Sequence, residues 1–176
     1  MADLKISQLP AATVPLTGTE TLPIVQSGAT KKVAASDVGM YGPAFSAYQS
    51  TLQGIPSTTW TKVQLQTEEF DTDNAFDNTT NYRFQPTVAG YYQVNCGIGV
   101  ATTGSQVVCA IYKNASPYKI GAIPNGPVAF ANTLSALVYL NGSTDYIEFY
   151  TYFSVGQGSS AVATDTYFQA SMTRRA

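Results

Sequence analysis

Aromatic residues are distributed very unevenly along this chain, and their distribution limits what each part of it can fold into. The first forty residues contain no Phe, Tyr or Trp, whereas the rest of the 176 residues carry all 12 Tyr, 8 Phe and the single Trp. Because each aromatic side chain buries about 150–250 Å² and aromatics dominate small cores, a segment without them buries little surface by itself. We therefore predict two parts: a dependent segment at 1–40 and a domain with its own core at 41–176.

Charged residues are unusually sparse. They make up 11% of the chain, with a net charge of −2, against about 25% in an ordinary domain. The chain therefore lacks the cluster of basic residues that nucleic-acid binding requires. Its low charge, combined with 44% hydrophobic residues, favours self-association. No apolar stretch is long enough to span a membrane, and the opening residues lack a signal-peptide pattern. We expect an oligomer made in a cytoplasm, with no nucleic-acid partner and no membrane insertion.

The N-terminal segment intersperses short aliphatic residues with prolines, which excludes a long helix. Residues 22–26 and 30–34 predict two short strands around a turn at 27–29, and 36–38 indicates a helix cap. An isolated two-stranded hairpin is marginally stable in water, so we expect this one to be ordered against a partner chain or a second copy. The aliphatic residues expected to attach it are Ile6, Leu9, Leu22, Ile24, Val25 and Val33.

From residue 44 onward, apolar and polar residues alternate as they do in half-buried strands. The alternating runs are 45–48, 60–65, 82–84, 91–100, 107–112, 134–140, 146–153 and 167–172. Clusters of Gly, Asn and Pro separate the runs and favour turns, and no helical pattern of convincing length follows residue 43. Short strands at this spacing predict an all-β fold, an antiparallel β-sandwich of the jelly-roll type.

One part of this pattern resembles a known family. Residues 82–94 read YRFQPTVAGYYQV and follow the sequence NAFD at 74–77. The stretch resembles the core of C1q/TNF-like domains, in which a Phe stands six residues before a Gly that is followed by x-Tyr, as Phe84, Gly90 and Tyr92 do here. The run at 168–172 looks like the family's closing strand. The resemblance implies a C1q/TNF-like jelly roll over about 44–173, with Gly90 permitting a sharp bend into its strand; such knobs are usually homotrimers.

A second resemblance lies at the N-terminus. Residues 5–13 and 16–33 read KISQLPAAT and LTGTETLPIVQSGATKKV. They resemble the opening segment of tailed-bacteriophage fibre, neck and head-appendage proteins. The resemblance implies a structural virion protein, made in the host bacterial cytoplasm, that docks to other phage virion proteins through 1–40 and displays a homotrimeric knob as a tail fibre or head fibre. A capsid decoration protein and a free C1q-like lectin or adhesin are the alternatives.

Little in the sequence suggests catalysis. The chain has no His, which excludes Ser-His-Asp and Cys-His arrangements. We predict that the protein is not an enzyme and that it has no catalytic residue and no cofactor-binding residue. Five acidic residues lie close together, and three interpretations fit them: a solvated loop, which we prefer, a Ca²⁺ site made by four of them, or a weak carbohydrate hydrolase. The Ca²⁺ candidates are Glu68, Asp71, Asp73 and Asp77, and the hydrolase candidates are Glu68, Glu69 and Asp71.

The two cysteines, Cys96 and Cys109, lie in alternating runs on either side of 101–104. A tight turn there would place them opposite each other on neighbouring strands. Both a cross-strand disulfide and two buried thiols fit this arrangement, and the second is more usual in a reduced compartment. Two thiols without a His do not complete a four-ligand zinc site.

Host-surface glycans are a further partner that the sequence allows. Aromatic side chains give sugars a stacking surface, although they also pack between subunits. Loops at 114–117, 124–127 and 156–160 are candidates too, since binding residues concentrate on loops of a rigid scaffold. The aromatic candidates are Tyr112, Tyr118, Tyr139, Tyr150, Tyr152, Phe153 and Tyr167.

Overall fold

The computed structural model of the protein describes residues 21–34, 42–101, 106–124 and 131–176. The chain divides into two compact units, Met1–Tyr41 and Gly42–Ala176. Within the described ranges the regular structure is entirely β, and every pairing between the strands is antiparallel. Those ranges hold no helix with the length and apolarity that crossing a bilayer requires.

The first unit contains a β-hairpin made by β1 (Thr21–Gln26) and β2 (Ala29–Ala34). The turn between them places Ser27 and Gly28 at φ of 53° and 76°. A two-residue turn with positive φ at both central residues matches the right-handed twist of the two strands that it joins. A Gly at the second of these positions favours this turn. The predicted hairpin is confirmed to within one residue, whereas the helix cap predicted at 36–38 lies outside the described residues.

The second unit is a sandwich of two sheets. Its strands are, in chain order, β3 (Ala44–Tyr48), β4 (Gly54–Ile55), β5 (Thr61–Lys62), β6 (Thr67–Asp71), β7 (Phe76–Asp77), β8 (Arg83–Phe84), β9 (Gly90–Gly99), β10 (Val107–Lys113), β11 (Ser116–Ile120), β12 (Ala131–Leu140), β13 (Ile147–Phe153), β14 (Gln157–Gly158) and β15 (Tyr167–Arg175). One sheet has five strands in the order β12-β9-β15-β3-β6. The other has six, in the order β11-β10-β13-β8-β7, with β5 also pairing with β13.

The interior between the two sheets is built around stacked aromatic rings. The Phe45 ring lies parallel to that of Phe76 at 4.6 Å between centroids and against that of Phe84 at 4.5 Å. Phe168, from the closing strand, meets Phe45 edge-on at 5.2 Å. Such contacts add to the free energy gained from burying large apolar side chains. The core that the sequence predicts around Phe84 and Tyr92 is confirmed, since both are fully buried.

Gly90 has a role different from the one expected. We predicted that it permits a sharp bend into its strand, but it is the first residue of β9 and lies in regular pairing with Leu140 and Arg175. A Cβ at this position would lie 2.4 Å from the backbone oxygen of Arg174. Strand β15 carries a register shift between Met172 and Arg174, and this irregularity brings its backbone close to Gly90.

Several predicted boundaries were wrong, for local reasons. Only Thr61–Lys62 of the run at 60–65 forms a strand, because the backbone N–H of Gln64 is satisfied by the Gln53 side chain at 2.9 Å. The turn predicted at 114–117 is shorter than expected: Asn114 and Ala115 have positive φ, and β11 begins at Ser116. Strand β6 was missed because it is an edge strand of polar and charged residues without clear alternation.

The cysteines are not cross-strand neighbours. Cys96 lies on β9 of the five-stranded sheet and Cys109 on β10 of the six-stranded sheet, so they face each other across the core. Both are buried free thiols. Burial raises the pKa of Cys96, and a hydrogen bond with Cys109 raises it further. The expectation of two buried thiols is confirmed, and the expected pairing on adjacent strands was wrong because the chain changes sheets between them.

Candidate functional site

The described attachment residues lie on both faces of the hairpin. Leu22 pairs with Val33, and Ile24, two residues further along β1, lies on the same face. Val25 lies on the opposite face and is 77% exposed, and Leu22 is 42% exposed. The remaining two predicted residues, Ile6 and Leu9, lie outside the described residues. The hairpin thus presents apolar side chains in two directions.

The hairpin also presents two open edges, because β1 and β2 form a sheet of only two strands among the described elements. Unpaired backbone N–H and C=O groups along such edges accept a further strand from another chain. Residues 21–34 are all exposed or half-buried. This segment therefore has both the apolar side chains and the backbone groups that a partner would cover.

The acidic residues mostly cap their own turns. Asp77 accepts hydrogen bonds from the backbone N–H groups of Thr79, Thr80 and Asn81 at 2.9–3.1 Å. These bonds hold its pKa far below the ordinary range, although partial burial acts in the opposite direction. Asp71 accepts from the backbone N–H of Phe76 at 2.7 Å. Both carboxylates are therefore already satisfied as turn-stabilising acceptors.

The other acids point to different places. Glu69 accepts a hydrogen bond from Ser46 Oγ at 2.6 Å on the five-stranded sheet, whereas Glu68 lines a polar cavity of about 430 Å³ together with Asp77 and Arg83. Across the described ranges, no three acidic, Cys or His side chains are arranged to hold a metal ion. The preferred solvated loop and the alternative of a Ca²⁺ site at these residues both stay predictions.

The outer face of the five-stranded sheet carries an open groove at the end where β9, β12 and β15 meet. The groove has a volume of about 660 Å³ and is lined by Tyr91, Leu137, Tyr139, Thr173, Arg174, Arg175 and Ala176. We call this surface the groove face. The rings of Tyr91 and Tyr139 lie 5.4 Å apart, and Leu137 is 52% exposed.

Exposed apolar residues continue from the groove face onto the neighbouring sandwich edge. Tyr118 on β11 reaches across to β12, where its hydroxyl lies 3.4 Å from the carbonyl oxygen of Leu137. Ile120 and Ile123 are 50% and 65% exposed. Large patches of this kind on a soluble domain mark contact surfaces.

The outer face of the six-stranded sheet carries a second group of aromatic residues, Trp60, Tyr112, Tyr150 and Tyr152, which we call the aromatic face. The rings of Tyr112 and Tyr150 are stacked at 3.9 Å, and Trp60 lies 5.6 Å from Tyr152 and 6.4 Å from Tyr112. The alternation of β10 and β13 places these tyrosines on the side away from the core. Burial, and then the nearby Glu148, raise the pKa of Tyr150.

One charged pair lies beside these rings. Glu148 is on the same side of β13 as Tyr150, is only 3% exposed, and forms an ion pair with Lys62 through Oε1. Its Oε2 is buried and has no hydrogen-bond partner among the residues that the structure describes. The Lys62 ammonium also donates to the carbonyl oxygen of Asn81 at 3.1 Å. The aromatic face thus combines flat apolar rings with an acceptor that lacks a donor.

The aromatic residues that we grouped as candidates for glycan binding lie in different parts of the structure. Phe153 is a core residue and is unavailable for binding, and Tyr167 packs over Gly97 on the five-stranded sheet. Tyr118 and Tyr139 belong to the groove face and its edge, whereas Tyr112, Tyr150 and Tyr152 belong to the aromatic face. Trp60 was missed, because the run at 60–65 gave no sign that its ring would meet tyrosines of distant strands.

The candidate loops are only partly described. In the loop at 156–160, Gln157 and Gly158 pair with Gly54 and Ile55, and Ser159 and Ser160 are buried. The loop at 124–127 lies outside the described residues from 125 onward. The tight turn at Asn114 and Ala115 is exposed.

Comparisons with known proteins identify the fold. No protein-family model and no curated protein sequence matches the chain. Among solved structures, the globular domain of the zebrafish complement 1qA protein is 14% identical, with a TM-score of 0.60, over 77% of this chain and 100% of that one. Eiger TNF from S. frugiperda is 10% identical (TM-score 0.57, 77% and 96% covered). Murine APRIL at pH 5.0 is 9% identical (TM-score 0.56, 74% and 98% covered).

These similarities accompany an arrangement of the described strands in which two antiparallel sheets enclose Phe84, Tyr92 and Phe168. At such low identity they speak for the fold alone. The chain folds as an all-β, antiparallel jelly-roll sandwich of the C1q/TNF-like type, with a short β-hairpin before it.

Proposed function

We propose that the chain is a structural protein of a tailed-phage virion, a homotrimeric appendage of the tail-fibre or head-fibre kind. Residues 1–40 dock it to other virion proteins, and residues 41–176 display the C1q-like knob for contacts with the host surface or the particle. It is made in the host bacterial cytoplasm and is found on the virion. It binds and does not catalyse.

The exposed hairpin is the observation that carries this proposal. Its aliphatic side chains face two directions, and Val25 is 77% exposed, whereas the sandwich buries a complete aromatic core of its own. A hairpin of this size gains too little from its own contacts to be stable alone. It therefore suits a segment that becomes ordered in a socket on another protein, as expected from its resemblance to phage attachment segments.

The groove face supports the trimer. A three-fold assembly needs two different patches on each copy that fit one another. The aromatic and aliphatic residues of the groove face, with the exposed edge at Tyr118 and Ile120, provide apolar surface of the kind that interface cores contain. Low net charge favours the same outcome, since copies of this chain repel each other weakly.

Docking through the hairpin is tested by introducing a charge into it. We expect Val25→Asp to abolish incorporation into particles produced from a phage genome that lacks its own copy of this gene. Val162→Asp is the matched control, because Val162 is also exposed, at 53%, but belongs to the second unit. Both variants should melt like the parent protein. Normal incorporation of Val25→Asp would contradict attachment through the hairpin.

A free lectin or adhesin is the second candidate, favoured by the aromatic face. The same experiment separates it from an appendage. A free adhesin would be absent from purified particles whatever stands at position 25, whereas an appendage or a capsid decoration protein copurifies with them. Labelling the protein on intact particles then distinguishes a tail site from a capsid site.

A further inference from the structure

We propose that the aromatic face is a binding site for a neutral saccharide, with Glu148 as its hydrogen-bond acceptor. Trp60, Tyr150 and Tyr152 supply the stacking surface, with the buried Tyr112 stacked against Tyr150, and Lys62 holds the other oxygen of the carboxylate. The inference deepens the proposed display function, on which its biological meaning rests, by naming the class of ligand and the residues that bind it.

The aromatic geometry supplies the first half of the site. Tyr112 and Tyr150 are stacked at 3.9 Å, and Trp60 and Tyr152 extend the group along the sheet with 5.6 Å between their rings. Strands hold three of these residues, so their rings lose little conformational freedom when a ligand binds. Trp60, Tyr150 and Tyr152 are half-buried, which leaves part of each ring exposed. A sugar ring has an apolar C–H face that packs on such rings, while tyrosine hydroxyls meet its edges.

Glu148 supplies the second half. Leaving a buried carboxylate oxygen without a donor is unfavourable, and hydrogen bonds to a charged acceptor are strong. Lys62 pairs with the other oxygen, Oε1, and also donates to the Asn81 carbonyl oxygen, so Oε2 is the carboxylate oxygen left for a ligand. A saccharide hydroxyl on the aromatic face then donates to Oε2. The unpartnered oxygen therefore specifies a donor-bearing ligand rather than a purely apolar one.

Charge balance favours a neutral sugar. The Lys62 ammonium neutralises Glu148, and the other nearby cation, the Arg83 guanidinium, lies over the Tyr146 ring at 4.4 Å. Both of these cations, among the residues that the structure describes, are thus already engaged, whereas an acidic saccharide would need a free one. The groove face differs, since it combines Leu137 with two exposed arginines and suits a protein neighbour instead.

The chain offers an internal probe, because Trp60 is its only tryptophan. The experiment titrates full-length protein with four uncharged hexasaccharides, built from glucose, mannose, galactose and N-acetylglucosamine, and follows tryptophan fluorescence. We expect a saturable change in intensity or wavelength with at least one of them. Failure of all four to change the fluorescence up to 20 mM, a concentration that detects affinities of about 10 mM, would overturn the proposal.

Variants then assign the response to the site. Losing one strong contact weakens binding by about tenfold, so we expect that shift in Kd for Tyr152→Ala and for Glu148→Gln. Phe70→Ala is the matched control, since that ring is 52% exposed on β6 of the other sheet, and it should bind like the parent. Melting curves identify a variant that fails to fold, and the other variant then decides. Unchanged Kd in a folded Tyr152→Ala or Glu148→Gln would contradict the site.

This test is independent of the particle. If no saccharide binds but Val25→Asp still loses incorporation, the appendage function stands and the glycan site fails. If saccharide binding holds while neither the parent protein nor Val25→Asp copurifies with particles, the free-adhesin alternative gains and the docking function fails.

Discussion

The hairpin at 21–34 and the sandwich at 42–176 differ in how much apolar surface stabilises them. The turns of the sandwich are held by hydrogen bonds to carboxylates and amides. Its core, to which both sheets contribute, encloses seven fully or nearly fully buried aromatic rings: Phe45, Phe76, Phe84, Tyr92, Phe149, Phe153 and Phe168. The hairpin has a well-formed turn and complete strand pairing but leaves its aliphatic side chains exposed or half-buried. Both regions therefore have regular secondary structure, and the difference between them is the amount of apolar side chain that each buries.

The comparison teaches that backbone pairing alone does not make an independent unit. Each hydrogen bond formed on folding replaces one to water and adds only about 0.5–1.5 kcal/mol, while ordering each residue costs a similar amount. The sandwich offsets that cost by burying large side chains, and the hairpin cannot. We propose that another chain supplies the missing burial, and for this reason we interpret the hairpin as an attachment segment.

Removing a central ring should have the largest effect. Phe45 contacts Phe76, Phe84 and Phe168, so we expect Phe45→Ala to lower the free energy of unfolding by about 3–5 kcal/mol. Phe70→Ala is the control, since that ring is 52% exposed and its loss should cost little. Urea unfolding of both variants makes the measurement. Similar losses in the two would mean that the ring cluster is not what stabilises the sandwich.

Alanine substitutions at two glycines with positive φ test whether the sandwich and the hairpin are destabilised independently of each other. A Cβ on Gly142, at φ +70°, would lie 2.4 Å from the backbone nitrogen of Ala89, whereas one on Gly28, at φ +76°, meets nothing within 4 Å. We expect Gly142→Ala to destabilise the sandwich by about 2–3 kcal/mol through strain and overpacking.

Gly28→Ala should strain only the hairpin turn, by about 1 kcal/mol, and leave the main melting transition in place. Thermal melts compare the two directly. A large shift of that transition in Gly28→Ala would show that the sandwich depends on the hairpin, against the division drawn here.

The smallest expected effect concerns acid. The lowered folded-state pKa of Asp77 means that its contribution to stability is fully present above its unfolded pKa, about 3.9, and is lost as pH falls through the folded value. We expect Asp77→Asn to cost about 1 kcal/mol at pH 7, because the amide accepts fewer of the turn's N–H bonds.

Urea titrations at pH 7, 4 and 2 measure the free energy of unfolding of the parent protein and of Asp77→Asn. We expect the difference between the two to become smaller as the pH falls. A difference that is constant across the three values would mean that the carboxylate charge does not hold the 77–81 turn. Nothing comparable is expected for the hairpin, whose described residues include no acid.

The sequence predicted those features that depend on local pattern. Phe84, Tyr92 and Phe168 were recognisable because the spacing around them resembles that of C1q/TNF-like domains, and the hairpin turn because Ser27-Gly28 tolerates positive φ. Features that depend on which strands become neighbours were not predictable. Cys96 and Cys109 are close only across the two sheets, and Trp60 meets Tyr112 and Tyr152 only because separate strands bring them to one face.

The site residues divide in the same way. Asp77 was a metal candidate because acidic residues close in sequence suggest a shared ligand, but its oxygens are occupied by the N–H groups of its own turn. Glu148 drew no attention, since a single acid in an alternating strand looks like an ordinary exposed residue. Its burial beside Lys62 is a consequence of tertiary packing.

One measurement tests the central claim most directly: the mass in solution and the particle incorporation of residues 41–176, compared with the full chain. The account predicts that the truncated protein keeps the mass of a trimer, about three times that of its own chain, and is absent from particles. The full chain, at 18.7 kDa per copy, should be trimeric and incorporated. A monomeric truncation, or one that still enters particles, would contradict the division between attachment segment and knob.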